Sequence, residues 1–206
     1  ILYLEGNNIM NILARSVLVM YTFDNDPDTI TRDNLMRQSI NLIAKFPTVI
    51  AYAFNILRHS QQGRSLHIRH PNENLSIAEN FLYMMKGPRQ YTELDVKTLD
   101  LMLILHAEHG GGNNSTFTVR VTSSTETDTY SAIAAGIGSL KGPLHGGANI
   151  QVKDMFDHLQ QAISDWTNVD EIDHYLKRML NKEVYNKTGL IYGIGHAVYT
   201  ISDPRA

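Results

Sequence analysis

Apolar residues recur along most of this chain at spacings of three and four, the period that lines one face of an α-helix. Between Thr29 and Phe46 they fall at Ile30, Leu35, Ile40, Leu42 and Ile43, and Pro47 then ends or kinks the predicted helix. Thr48 to about Ser60 is apolar on most sides, as a buried helix would be. Gln61-Gln62-Gly63-Arg64 and His70-Pro71-Asn72-Glu73-Asn74 are turn-like. Ser76-Ile77-Ala78-Glu79 has the capping-box pattern and opens a helix that stops at Gly87-Pro88. Thr92-Glu93-Leu94-Asp95 starts another, which runs up to His106 and His109. From Thr129 to Leu140, Tyr130, Ile133, Ala134 and Ile137 share a face, and Ala132, Ala134, Ala135, Gly136 and Gly138 permit a close helix neighbour. Two more helical stripes follow: Val152, Met155, Phe156, Leu159 and Ile163, then Ile172, Tyr175, Leu176, Met179 and Leu180 behind an Asp170 cap. No period-two pattern is sustained and there is no internal repeat. The chain is predicted to be all-α.

Composition narrows the function classes. With 206 residues the chain can bury one substantial core in one or two domains. A net charge of −3 gives no basic footprint for nucleic acid or an anionic membrane. Cysteine is absent, which excludes disulfides and thiolate metal sites and suits a reducing, cytoplasmic location. No apolar run reads as long enough to span a bilayer; the stretch around Leu99–Leu105 is broken by Asp100. The start, Ile1-Leu2-Tyr3-Leu4-Glu5, has neither an initiator Met nor a basic leader, and reads as the cut end of something longer.

The most informative stretch is Gly142-Pro143-Leu144-His145-Gly146-Gly147-Ala148-Asn149. It sets a histidine among small residues just ahead of a helical pattern. The field of a helix N-terminus favours a neutral imidazole, which can donate a hydrogen bond to an enolate oxygen. The same residues read equally well as a loop histidine at a helix cap. Two further histidine segments bear on the choice: Leu103-Ile104-Leu105-His106-Ala107-Glu108-His109-Gly110-Gly111-Gly112-Asn113-Asn114-Ser115, and Gly193-Ile194-Gly195-His196-Ala197-Val198-Tyr199 with Asp203-Pro204-Arg205-Ala206 behind it. His106 and His109 share a helix face, but no third and fourth metal ligand stand out, so no metal is expected. Gly110-Gly111-Gly112 follows a helix and lacks the Lys-Ser/Thr ending of a phosphate loop.

Taken together, these segments resemble the citrate synthase family, whose members carry an HxDHxxxN-like segment, then GPxHGxAN, then GxGHxVY followed by DPRA, in this order. The 36-residue step from His109 to His145 fits as well. The likeness is densest over 102–149 and 191–206; over 1–101 it is carried by the helix-Pro-helix segment Lys45-Phe46-Pro47-Thr48-Val49-Ile50-Ala51-Tyr52. The resemblance implies a citrate-synthase-like helical fold, with residues 1–142 forming part of a large helical domain and 143–206 the start of a small, mobile one.

It also implies a Claisen-type condensation of acetyl-CoA with oxaloacetate, giving citrate and CoA, with acetyl-CoA as co-substrate and no tightly bound cofactor. Under it His145 stabilises the enol of the acyl-CoA and His196 polarises the oxaloacetate carbonyl. His109 contacts oxaloacetate, Arg205 pairs with one of its carboxylates, and Asn113 and Ser115 orient His109. A homodimer is implied too. Two departures qualify this. The family's general base and further arginines lie beyond the DPRA segment, so these 206 residues are expected to be a core fragment with little turnover of their own. Thr200 stands where many relatives carry a basic residue that helps hold CoA. A 2-methylcitrate synthase using propionyl-CoA, and a non-catalytic helical dimerisation module, remain as alternatives.

Overall fold

In the computed structural model, residues 6, 8–108, 110–195 and 200–203 are described. Among them the regular structure is entirely helical. Eight helices follow in order: α1 (Ile9–Met20), α2 (Arg32–Gln62), α3 (Ile77–Lys86), α4 (Glu93–His106), α5 (Asn114–Ser123), α6 (Thr129–Lys141), α7 (Ala148–Ala162) and α8 (Val169–Leu180), with a 3₁₀ turn at Tyr21–Phe23. The chain divides into two compact units, Ile1–Lys141 and Gly142–Ala206.

The helix starts follow the local chemistry. Thr92 and Asp95 form a complete capping box on α4, and the Ser76 hydroxyl accepts from Glu79 N on α3. α8 is capped by Asn168, which accepts from the amides of Asp170 and Glu171, and not by Asp170. Asp170 sits in the first turn instead, where its charge favours the positive helix end.

Pro47 does not end its helix. α2 runs through it for 31 residues to Gly63, whose φ of +62° closes the C-terminus in the left-handed conformation. The absent Pro47 N–H removes one helical bond, but Leu42 before it and Val49 and Ala51 after it are all buried, so both halves are anchored by packing. Joining the halves also corrects the reading of apolar runs. An 18-residue window of α2 reaches a mean hydropathy of 1.5, so by length and composition this helix could cross a membrane. The core helix of a folded domain passes the same test, and α2 buries Asn34, Gln38 and Asn55 beside its apolar residues.

In the first unit, α6 packs on α1 and α5, α2 on α1 and α3, and α3 on α4. Leu13, Val17, Leu42, Val49, Tyr130 and Ile137 form the core, each contributing about 1.5–3 kcal/mol by its burial. Tyr130 and Ile137 occupy the α6 face that the periodicity assigns to them. α2 differs. Its inward row is Asn34, Gln38 and Leu42, while Ile30, Leu35, Ile40 and Ile43 remain exposed.

A polar network holds that row. Asp24, with a side chain only 2% exposed, pairs with Arg37 at 2.7 Å. It accepts from the Tyr130 hydroxyl at 2.6 Å and from Gln38 Nε2 at 3.2 Å. Gln38 Oε1 in turn accepts from Thr129 Oγ1. Every buried donor and acceptor at this point is therefore partnered.

The second unit has its own core of Met155, Leu159, Ile163 and Met179, with Ile172, Tyr175 and Leu176 packed against it. These are members of the two predicted stripes. Phe156 and Leu180, from the same stripes, are about half exposed.

Candidate functional site

His145 lies in the turn that joins Gly142 to α7. Its amide donates to the Gly142 carbonyl at 3.0 Å, and residues 143–147 form consecutive turns. Gly147 is required there by space. A Cβ on it would stand 2.6 Å from the Pro143 carbonyl oxygen and 3.0 Å from the Pro143 Cα, so a side chain would force the turn open. Gly147 is also the N-cap of α7 and brings no capping side chain. The half-buried His145 thus sits two residues ahead of the N-cap, at the end where the helix field is positive. This is the placement the sequence suggested: an imidazole on a tight turn with glycine on its C-terminal side.

In the first unit, Asn113 caps α5, its Oδ1 accepting from Ser115 N at 2.9 Å and Thr116 N at 3.1 Å. Asn113 thereby ends the glycine loop and starts a helix, so its carbonyl oxygen is engaged in folding. The loop turns at Gly110, where φ is +73°, and Gly110 N donates to Glu108 Oε1 at 2.5 Å. His106 ends α4 with Nδ1 2.6 Å from the Met102 carbonyl, a structural partner within its own helix. Among the described residues, no three His, Asp or Glu side chains gather to hold a metal ion.

His109, His196 and Arg205 lie outside the described residues, so their predicted roles carry no geometry here. What is described beside them is the turn at Gly193 and Gly195, with φ of +86° and +85°, leading to His196. The sequence reading missed α1, α5 and the Asp24 network. Asn113 ahead of the apolar residues Phe117, Val119 and Val121 was the available signal for α5, since Asn is a favoured N-cap.

Residues 2–206 match the family model described as citrate synthase, C-terminal domain. The chain belongs to the citrate synthase family. It is 37% identical over 203 residues to the protein named citrate synthase 2 of Bacillus subtilis, covering 98% of this chain and 49% of that one. It is 40% identical over 200 residues to 2-methylcitrate synthase 1 of Corynebacterium glutamicum, covering 95% and 48%. Its fold superposes on the crystal structure of citrate synthase from Pyrobaculum aerophilum with a TM-score of 0.74 at 32% identity, over 96% of this chain and 47% of that one. The chain thus spans about half the length of the citrate synthase relatives it matches.

Proposed function

We propose that this chain carries the histidine-bearing core of an enzyme that condenses acetyl-CoA with oxaloacetate. The observation that carries the reading is the His145 turn. Only glycine fits at 147, and the imidazole is held at an uncapped helix start within a family-matching segment. In the reaction, a base removes a proton from the carbon next to the thioester, and His145 donates to the developing enolate oxygen. That carbon attacks the oxaloacetate ketone, whose oxygen His196 supplies with a hydrogen bond. Water then cleaves the citryl-CoA thioester, releasing citrate and CoA. His109 and Arg205 hold oxaloacetate, Arg205 because a guanidinium fork meets a carboxylate at two points. Ser115 in the first turn of α5 and Asn113 at its N-cap support this end. The acyl-CoA is a co-substrate, no resident cofactor is needed, and the working form is a cytoplasmic homodimer.

CoA release, followed as free thiol with oxaloacetate present and absent, tests the reading. The protein has no cysteine and so adds no background. A version extended at both ends is expected to release CoA only with oxaloacetate. The 206 residues alone are expected to turn over at least about a hundred-fold more slowly, since a positioned base contributes roughly 10²–10⁴-fold. His145→Ala in the extended version should lose about 10²–10³-fold, as when an oxyanion donor is removed. No oxaloacetate-dependent release from the extended protein overturns the proposal and leaves a helical dimerisation module.

The 40% identity to a 2-methylcitrate synthase favours a second reading, the same chemistry on propionyl-CoA. One methylene is worth only about 1–3 kcal/mol of discrimination, so the ratio of rates on the two thioesters decides between them.

A further inference from the structure

α4 is a well-made helix whose apolar surface is left open. Its start is secured by the capping box of Thr92 and Asp95 and by Lys97, which pairs with Glu93 at 2.7 Å. Past Asp100 the polar residues stop. Leu101-Met102-Leu103-Ile104-Leu105 follow without a break, and the first four are between 44% and 64% exposed. α3 packs against α4, and Val96, Leu99 and Leu105 are half-buried.

The open side is wide. At 100° per residue, Ile104, Leu101 and Met102 are spread over about 160° of the helix circumference, and Leu103 falls outside that arc. An amphipathic surface helix keeps polar residues on the side away from its core; a helix that is apolar nearly all round belongs in the interior of a fold. Helix propensity does not call for these residues either, since alanine, lysine or glutamate would serve as well at solvated positions.

What covers the helix has to reach it from more than one direction. A second copy in a two-fold dimer presents its patch from one side only. More polypeptide is at hand. The chain covers 49% of the Bacillus subtilis relative and 47% of the Pyrobaculum aerophilum structure, and a protein of their length has as much again outside these 206 residues. We propose that the C-terminal half of α4 is an interior helix of the complete protein, clasped by polypeptide from outside residues 1–206 and not by a second copy. The clasping segment is apolar, because 101–105 offers no side chain that a polar one could pair with. The clasp is independent of the reaction proposed above.

The protein has no cysteine, so a single one reports on its own surroundings. Ile104→Cys is placed in the 206-residue chain and in a version extended at both ends, and its reaction with a maleimide is timed over a wide range of protein concentration. In the 206 residues the thiol is expected to react rapidly at every dilution. In the extended protein it should react at least about a hundred-fold more slowly, as expected when reaction waits on local opening of a packed helix. That protection should not change on dilution. Protection that fades on dilution, in either protein, assigns the face to a second copy and overturns the proposal. So does rapid reaction in the extended protein, which leaves the face in water. Slow reaction of the 206 residues at every dilution also overturns it, since they would then cover the helix themselves. Should Ile104→Cys keep the extended protein from folding, Leu101→Lys gives the second reading. Its thermal midpoint is expected to move by less than about 2 °C in the 206 residues and to fall by about 10 °C or more in the extended protein. An equal change in both removes the clasp.

Discussion

Asp24 has a side chain only 2% exposed and surrounded by hydrogen-bond donors. Burial opposes its charge, yet hydrogen bonds from Tyr130, the Asp26 amide, Arg37 and Gln38 together hold its carboxyl well below the usual carboxylate range. A depressed acid contributes stability that is present above its unfolded value, about 3.9, and lost as pH falls through its folded value. The urea midpoint of the chain is therefore expected to drop steeply below about pH 4. At the opposite end, burial and the Asp24 carboxylate push Tyr130 up to about 12. Its stabilising contribution is complete below the unfolded value of 10.0 and disappears as pH climbs through the folded one, so a second loss is expected between these values. Tyr130→Phe should reduce the alkaline loss, leaving the part carried by the other raised tyrosines, Tyr21, Tyr52, Tyr91 and Tyr185, and lower stability by about 1.5–3 kcal/mol, the range for a hydrogen bond to a charged group. The sequence shows none of this. Asp24, Gln38 and Tyr130 are each ordinary in their local windows, and the Asp24–Tyr130 bond closes over 106 positions.

Asn113 raises a different question at the same scale, because a cap and a substrate contact use the same amide. Asn113→Asp preserves the acceptor that α5 needs, and Asn113→Ala removes it. Alanine is expected to cost about 1 kcal/mol in thermal unfolding, and aspartate close to nothing. If oxaloacetate affinity falls only with alanine, Asn113 acts by starting α5; if aspartate also weakens binding, its amide hydrogens face the substrate.

Among the elements, α5 and α6 show how a small residue sets a distance. A Cβ at Gly136 would stand 2.6 Å from Val119 Cγ2, and valine, being β-branched, has little freedom to withdraw. Glycine-to-alanine inside a helix ordinarily gains up to about 1 kcal/mol. Here the clash reverses the sign: Gly136→Ala is expected to lose about 1–3 kcal/mol by chemical denaturation. Val119→Ala should make the second substitution tolerable, so the pair will be strongly non-additive. The alternation of alanine and glycine in 132–138 announced close contact, but not its partner. Element boundaries were legible wherever capping chemistry was local, as at Ser76 and Thr92. At Pro47 the reading of a helix end did not hold, since packing along α2 outweighs one missing hydrogen bond, and at Asp170 the cap was misplaced, since Asn168 two residues earlier reaches the free amides first.

At the scale of the whole molecule, the apolar surface left open is the main feature. Leu35, Met36, Ile40 and Ile43 of α2 face outward, as do Leu101, Met102 and Ile104 of α4, and α4 contains no buried residue at all. Apolar residues exposed in such number on two helices suit surfaces that another chain or another segment covers. The homodimer we propose makes use of the α2 face: the chain is expected to sediment as a dimer at micromolar concentration. Ile40→Lys combined with Ile43→Lys, both at exposed positions, should leave the helical content intact. If α2 lies in the interface, that variant shifts the chain to monomer; if it stays dimeric, α2 is not part of the contact.

The sequence by itself determined that the chain is helical, where most helices start, and which three histidine segments resemble the family's motifs. Those properties are written in short windows: hydrophobic period, capping residues, and short motifs of neighbouring residues. Tertiary structure alone decided which side of a helix turns inward. On α2 Asn34 and Gln38 turn inward while Ile40 and Ile43 face out, because Asp24 and Thr129 satisfy the Gln38 amide, Tyr130 completes Asp24, and the Asp26 and Thr29 carbonyls take the Asn34 amide. It also decided that Gly147 must close on Pro143 and that His158 should touch Tyr185. Local patterns report what a segment can bury; only the folded chain supplies the partners that make burial of a polar group favourable.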